Sequence, residues 1–188
     1  MQDTIKIATR KSPLALAQCN LVLEMLKNKT SNHMVELIPT ITSGDRVDKG
    51  TFKANGGKGL FIKELENSLL KGKADIAVHS LKDVPAVLDS RFDIMPVLDR
   101  ECPQDIMISN KYSSLDDVPE NAKIGTSSPR RMALLRGISP KFEIIEIRGN
   151  IGTRLKKLEE GECDALILAA AGLHRLNLRK KITQYISE

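Results

Sequence analysis

An α/β fold made of two similar lobes is what this 188-residue sequence predicts, and three observations carry that prediction. Short apolar strand patterns alternate with helical ones along the chain, which implies sheets covered on both faces. Lys6-Ile7-Ala8-Thr9-Arg10-Lys11-Ser12-Pro13-Leu14-Ala15-Leu16 reads almost like Lys123-Ile124-Gly125-Thr126-Ser127-Ser128-Pro129-Arg130-Arg131-Met132-Ala133-Leu134. Gly72-Lys73-Ala74-Asp75-Ile76-Ala77 and Gly161-Glu162-Cys163-Asp164-Ala165-Leu166 then match in the same order. Two independent matches in one order point to an internal duplication.

The elements follow in sequence. Ile5 and Ile7 alternate with polar neighbours, so Thr4–Thr9 reads as a strand. Ser12–Lys29 carries Leu14, Leu16, Leu21, Leu23 and Leu26 at helical spacing, with Ser as cap and Pro at the first helical position. Met34–Ile41 is a second strand, followed by a polar, Gly- and Lys-rich stretch over 44–59. A loop of that length in a compact domain is usually functional or disordered, and a lid is the expected role. Leu60–Leu70 resumes helical periodicity. Ala74–Ser80 is a near-continuous apolar run, as expected of a central parallel strand, and Phe92–Leu98 reads as another strand.

Glu101-Cys102-Pro103-Gln104 reads as a crossing between lobes, so the expected domains are residues 1–100 and 101–188. In the second, strands are expected at Asp105–Ser109, Ala122–Thr126, Phe142–Ile147 and Asp164–Ala169. Helices are expected at Ser128–Gly137, Ile151–Glu160 and Ala170–Leu176.

Composition narrows the function classes. Charged residues make up 28% and hydrophobic residues 41%, ordinary for a globular chain. No apolar run approaches a membrane span, and the start of the chain lacks a signal-peptide layout, so a cytoplasmic location is expected. Cys19, Cys102 and Cys163 have neither disulfide nor metal spacing. The net charge of +5 suits nucleic acid, a membrane surface or an acidic small ligand. With aromatics at only 3% and no nucleic-acid motif, the acidic small ligand is favoured and no nucleic-acid or membrane partner is expected.

Chemistry concentrates at strand-to-helix turns. A helix N-terminus presents unpaired N–H groups and a positive dipole end to an anion. Both Ser-Pro starts are flanked by cations, Arg10 and Lys11 in one and Arg130 and Arg131 in the other. Arg148-Gly149-Asn150-Ile151-Gly152-Thr153-Arg154 opens a further helix with two more arginines. Arg grips carboxylates through paired, planar hydrogen bonds. His79-Ser80-Leu81-Lys82-Asp83-Val84-Pro85 brings a Lys-Asp pair to the end of a strand, where Asp83 suits charge stabilisation or proton transfer. The same residues equally suit a plain turn. His79 is open to a base role or a structural one, and His33 and His174 have no partner pattern.

Together these motifs, with Gly56-Gly57-Lys58-Gly59-Leu60-Phe61, resemble the porphobilinogen deaminase (hydroxymethylbilane synthase) family from about residue 4 to residue 180. The resemblance implies a transferase of tetrapyrrole (haem) biosynthesis with two lobes of the type II periplasmic-binding-protein-like kind and a cleft between them. Such enzymes, expected to be monomers, join four porphobilinogen units with loss of ammonia onto a covalently held dipyrromethane cofactor. Pyrrole acetates and propionates would account for the arginines. By resemblance Asp83 is the catalytic carboxylate, stabilising the cationic azafulvene and the protonated pyrrole. Arg10, Ser12, Lys82, Arg130, Arg131, Arg148 and Arg154 would bind cofactor and substrate carboxylates, helped by Thr126, Ser127, Ser128 and Gly149, with 44–59 as the active-site loop.

Family members continue into a stretch that completes the first lobe and a third domain whose cysteine anchors the cofactor. Cys19, Cys102 and Cys163 match nothing in that motif. The expectation is therefore a chain lacking the covalent anchor and inactive alone. A two-lobe anion-binding module without catalysis is the alternative, though it gives Lys82-Asp83 no task.

Overall fold

The computed structural model describes residues 4–29, 33–43 and 62–186. The predicted 44–59 loop, with its glycines, lies outside the described residues. The chain divides into two compact units, Met1–Asp99 and Arg100–Glu188.

In the first unit β1 (Thr4–Arg10) lies between β2 (Met34–Thr40) and β3 (Ile76–Ala77), both parallel to it. Ile7, Ala8 and Thr9 of β1 are fully buried. Helix α1 (Pro13–Lys29) follows at once. The Ser12 hydroxyl caps it, accepting from the Ala15 N–H at 3.4 Å, and the Leu16 N–H reaches the Ser12 carbonyl at 3.0 Å. Helix α2 (Lys63–Leu70) presses Leu65 against Ala8 and Ala74.

The second unit is a mixed sheet in the order β6-β5-β7-β4-β8. Its strands are β4 (Asp105–Ser109), β5 (Lys123–Gly125), β6 (Glu143–Ile145), β7 (Ala165–Ala169) and β8 (Gln184–Ile186). Helices α3 (Pro129–Ile138), α4 (Ile151–Glu159) and α5 (Ala170–Arg175) connect them. Side chains alternate across a strand. Ile106 and Ile108 therefore join one core cluster with Leu155, Leu158, Leu166 and Leu173, while Met107 joins another with Ile124, Leu135 and Phe142. Both faces are covered, as the α/β reading expects.

The duplication is visible in detail. Strands β6-β5-β7 repeat the order and parallel sense of β2-β1-β3. Helices α2 and α4 both end on a glycine with positive φ, Gly72 at +62° and Gly161 at +78°. The Lys6 N–H donates to Asp75 Oδ2 at 2.7 Å while the Asp75 N–H returns to the Lys6 carbonyl at 2.9 Å. Lys123 and Asp164 make the same exchange, with 2.8 Å for each bond.

Two sequence expectations need correction, and one strand was not expected. Ala74–Ser80 is not a central strand: only Ile76–Ala77 is strand, and it pairs with β1 alone at the edge of the described sheet. Its counterpart β7 runs five residues because β4 pairs with it along all five, while β5 pairs with two of them. Phe92–Leu98 is irregular, with Ile94 and Met95 51% and 80% exposed. It has strand composition, but it pairs with no strand among the described residues and Pro96 removes a donor. Strand β8, unforeseen, adds antiparallel to β4. No helix among the described residues is long and apolar enough to cross a membrane.

Candidate functional site

The parallel strands β5 and β6 end side by side, so the turns after them bring the predicted arginines of the second unit together. After β5 the Thr126 N–H continues the ladder to the Ile145 carbonyl at 2.9 Å, and Thr126 is buried. Its hydroxyl accepts the Ser128 N–H at 3.3 Å, bending the chain into α3. Ser128 is the cap, its hydroxyl accepting the Arg131 N–H at 3.5 Å, and Pro129 begins the helix. Ser127 is half-buried in the same turn. This is the Thr–Ser–Pro device expected from the sequence, and Thr9-Ser12-Pro13 repeats it in the first unit.

Arg131 is held on several sides. Its Nη2 donates to Asp105 Oδ1 at 2.8 Å and its Nη1 to the Ile167 carbonyl at 3.4 Å. Its Nε is buried without a hydrogen-bond partner among the described residues. Arg130, more exposed, donates to the other oxygen of Asp105 at 2.7 Å. Burial pushes the Asp105 carboxyl up, but Arg131 and Arg130 outweigh it and hold it below the usual carboxylate range.

After β6, Arg148 donates from Nε to Glu146 at 2.8 Å. Gly149 takes φ +112°, and an added Cβ would sit 2.8 Å from Thr153 Cγ2, so the turn requires glycine. Asn150 caps α4 by accepting the Thr153 N–H at 2.9 Å, and Arg154 Nε reaches back to the Gly149 carbonyl at 2.8 Å. Burial, then the charges of Arg131 and Arg148, lowers the Arg154 pKa from its ordinary value. Arg154 thus lies within reach of the charges of both Arg131 and Arg148, an arrangement that a bound anion relieves.

The first unit places its own candidates around the end of β1. Arg10 closes that strand, half-buried, and Ser12 caps α1. Beyond β3 the chain makes a 3₁₀ turn, Leu81–Asp83, closed by the Asp83 N–H on the Ser80 carbonyl at 2.9 Å. Lys82 is exposed and Asp83 half-buried in it. The Ser80 hydroxyl donates to the buried Gln18 side chain at 2.8 Å, tying this turn to α1. Burial lowers the His79 pKa, and the nearby charges of Asp83 and Arg10 push it in opposite directions.

Sequence reasoning missed Asp105, Glu146 and Gln18, which hold these candidates in place. Asp105 had one visible signal, a lone carboxylate opening the apolar strand Ile106–Ile108. His174, read as ordinary, is engaged by both ring nitrogens, with Glu101 at 2.9 Å and the Tyr185 hydroxyl at 2.8 Å.

Residues 5–188 match the family model described as porphobilinogen deaminase, dipyromethane cofactor binding domain. The chain belongs to the porphobilinogen deaminase family. The porphobilinogen deaminase of Vesicomyosocius okutanii subsp. Calyptogena okutanii (strain HA) is 50% identical over 188 residues, which is 100% of this chain and 62% of that protein. That of Legionella pneumophila (strain Paris) is 53% identical over 184 residues, 98% of this chain and 60% of the relative. The chain thus spans about three fifths of the length of these curated relatives. Among solved structures, the methionine binding protein MetQ superposes with a TM-score of 0.52 at 13% identity, covering 100% of this chain and 79% of that one. This likeness shows the periplasmic-binding-protein-like fold.

A dipyrromethane cofactor is a chain of pyrroles bearing carboxylates, and the donor set of the second unit fits one. Clustered guanidiniums, a capped helix N-terminus and the unpartnered Arg131 Nε all call for carboxylate oxygens.

Proposed function

We propose that this chain is the carboxylate-gripping and catalytic part of a cytoplasmic transferase of tetrapyrrole biosynthesis, a hydroxymethylbilane synthase. The reaction joins four porphobilinogen units into hydroxymethylbilane with loss of ammonia. The observation that carries the reading is the arginine cluster, Arg131, Arg148 and Arg154, in a chain of the porphobilinogen deaminase family. Porphobilinogen carries one acetate and one propionate, so each ring brings two anions to such a cluster.

Bound dipyrromethane supplies the free pyrrole carbon to which units are added. Arg130, Arg131, Arg148 and Arg154 take carboxylates in the second unit, with Thr126, Ser127, Ser128 and Gly149 shaping the turns. Arg10, Ser12 and Lys82 serve the same purpose in the first. Asp83 faces positive charge that develops on the substrate as ammonia leaves, and its carboxylate then accepts the proton shed when the new carbon–carbon bond forms. A lowered pKa keeps His79 neutral near pH 7, so its ring adds no charge against Asp83.

The test is Asp83→Asn in the full-length protein with its cofactor in place. Turnover falls by roughly two orders of magnitude or more, in line with loss of a positioned acid–base group. Unchanged turnover with the cofactor retained removes Asp83 from the chemistry.

A further inference from the structure

We propose that Asp105 is a positioning residue for ligand carboxylates, one that holds Arg130 and Arg131 as a pair without itself touching the ligand. This deepens the function proposed above and rests on it. Each carboxylate oxygen of Asp105 accepts from a different arginine, at 2.7 Å from Arg130 and 2.8 Å from Arg131.

The backbone of Asp105 is fixed on both sides. It opens β4, in register with Ala169 of β7 and Ile186 of β8. Its carboxylate is therefore anchored to a strand paired on both sides, only 12% exposed, while Arg131 opposite is 13% exposed. The Ile167 carbonyl of β7 takes a second edge of the Arg131 guanidinium, and the Ser128 cap takes its main-chain N–H. A guanidinium has five N–H donors, and these contacts to Asp105 and Ile167 use two of them. One N–H on each of Nη1 and Nη2 remains for a ligand, already oriented, so less rotational freedom is lost on binding. Asp105 also offsets part of the charge that Arg131 presents to Arg154.

The test uses this chain with porphobilinogen as the probe. Calorimetry with the unaltered chain examines the proposed function: absence of binding removes that reading and leaves Asp105 to the spectroscopic test below. Where the unaltered chain binds, Asp105→Asn weakens binding at least tenfold and Asp105→Glu recovers most of the loss. Equal or tighter binding by Asp105→Asn overturns the inference and makes Asp105 a competitor. A merely structural role would lower the melting temperature of both variants without this split. Nitrogen-15 NMR of the unaltered chain needs neither ligand nor variant. Arg131 gives separate, slowly exchanging Nη signals from hindered rotation, while exposed Arg136 gives averaged ones. Averaged Arg131 signals contradict the positioning role.

Discussion

Cys163 packs beneath Gly125, where an added Cβ would lie 3.1 Å from its Sγ and 2.7 Å from Ile147 and Leu166. Burial, reinforced by Asp164 and Glu162, raises this thiol to about 11. Burial also raises Cys19, which is fully enclosed. Only a thiolate attacks an electrophilic carbon, so neither residue is suited to a thioether. Cys102 is the more open thiol, and its Sγ lies 3.5 Å from Gln104. The expected outcome of incubating this chain with porphobilinogen is an unchanged intact mass. An added mass equal to two pyrrole units would show that one of these thiols anchors the cofactor. At the same scale, the arginines were legible because each sits beside a Ser-Pro or Gly-Asn turn signal. Asp105 was not: its partners lie 25 and 26 residues further on, and only the sheet brings them together.

Helices α2 and α4 end alike, and their glycines allow a clean test of the duplication. Lys73 donates to the Ser68 carbonyl and Glu162 to the Lys157 carbonyl, both across a residue in the left-handed region. An added Cβ at Gly72 or Gly161 meets nothing within 4 Å, so replacement carries a conformational cost without a clash. Gly72→Ala and Gly161→Ala should each destabilise the fold by about 1–2 kcal/mol, measured by urea unfolding. A cost near zero at either position would mean that the turn adopts another conformation. Such caps were legible because they are local. Strand extent was not, because a strand is completed by its neighbour. The Ala74–Ser80 run yields two strand residues, the two that β1 pairs, whereas Ala165–Ala169 yields the five that β4 pairs. Strand β8, Gln184-Tyr185-Ile186, has no pattern of its own and exists through its pairing with β4.

Across the whole chain the net charge is +5, yet the second unit depends on carboxylates held ionised. Asp164 is held below the usual range by Lys111 and by the Lys123 N–H, and Asp105 by its two arginines against the effect of burial. A carboxylate whose pKa is lower folded than unfolded stabilises the fold fully above its unfolded value. That contribution is lost as pH falls through the folded value. Stability should therefore hold through neutral pH and decline below about 4, and Asp164→Asn should make the decline shallower. A stability curve that rises on acidification to pH 3 would contradict these pairings. The arginines of the same unit carry the functional reading, and one titration reaches them directly. Calorimetry of porphobilinogen with this chain and with its Arg131→Ala and Arg154→Ala forms should show binding that either change weakens by about 2–5 kcal/mol, as for truncating a partner of a buried charge pair. Affinities within about 0.5 kcal/mol of the unaltered chain would show that the clustered guanidiniums do not receive the pyrrole carboxylates.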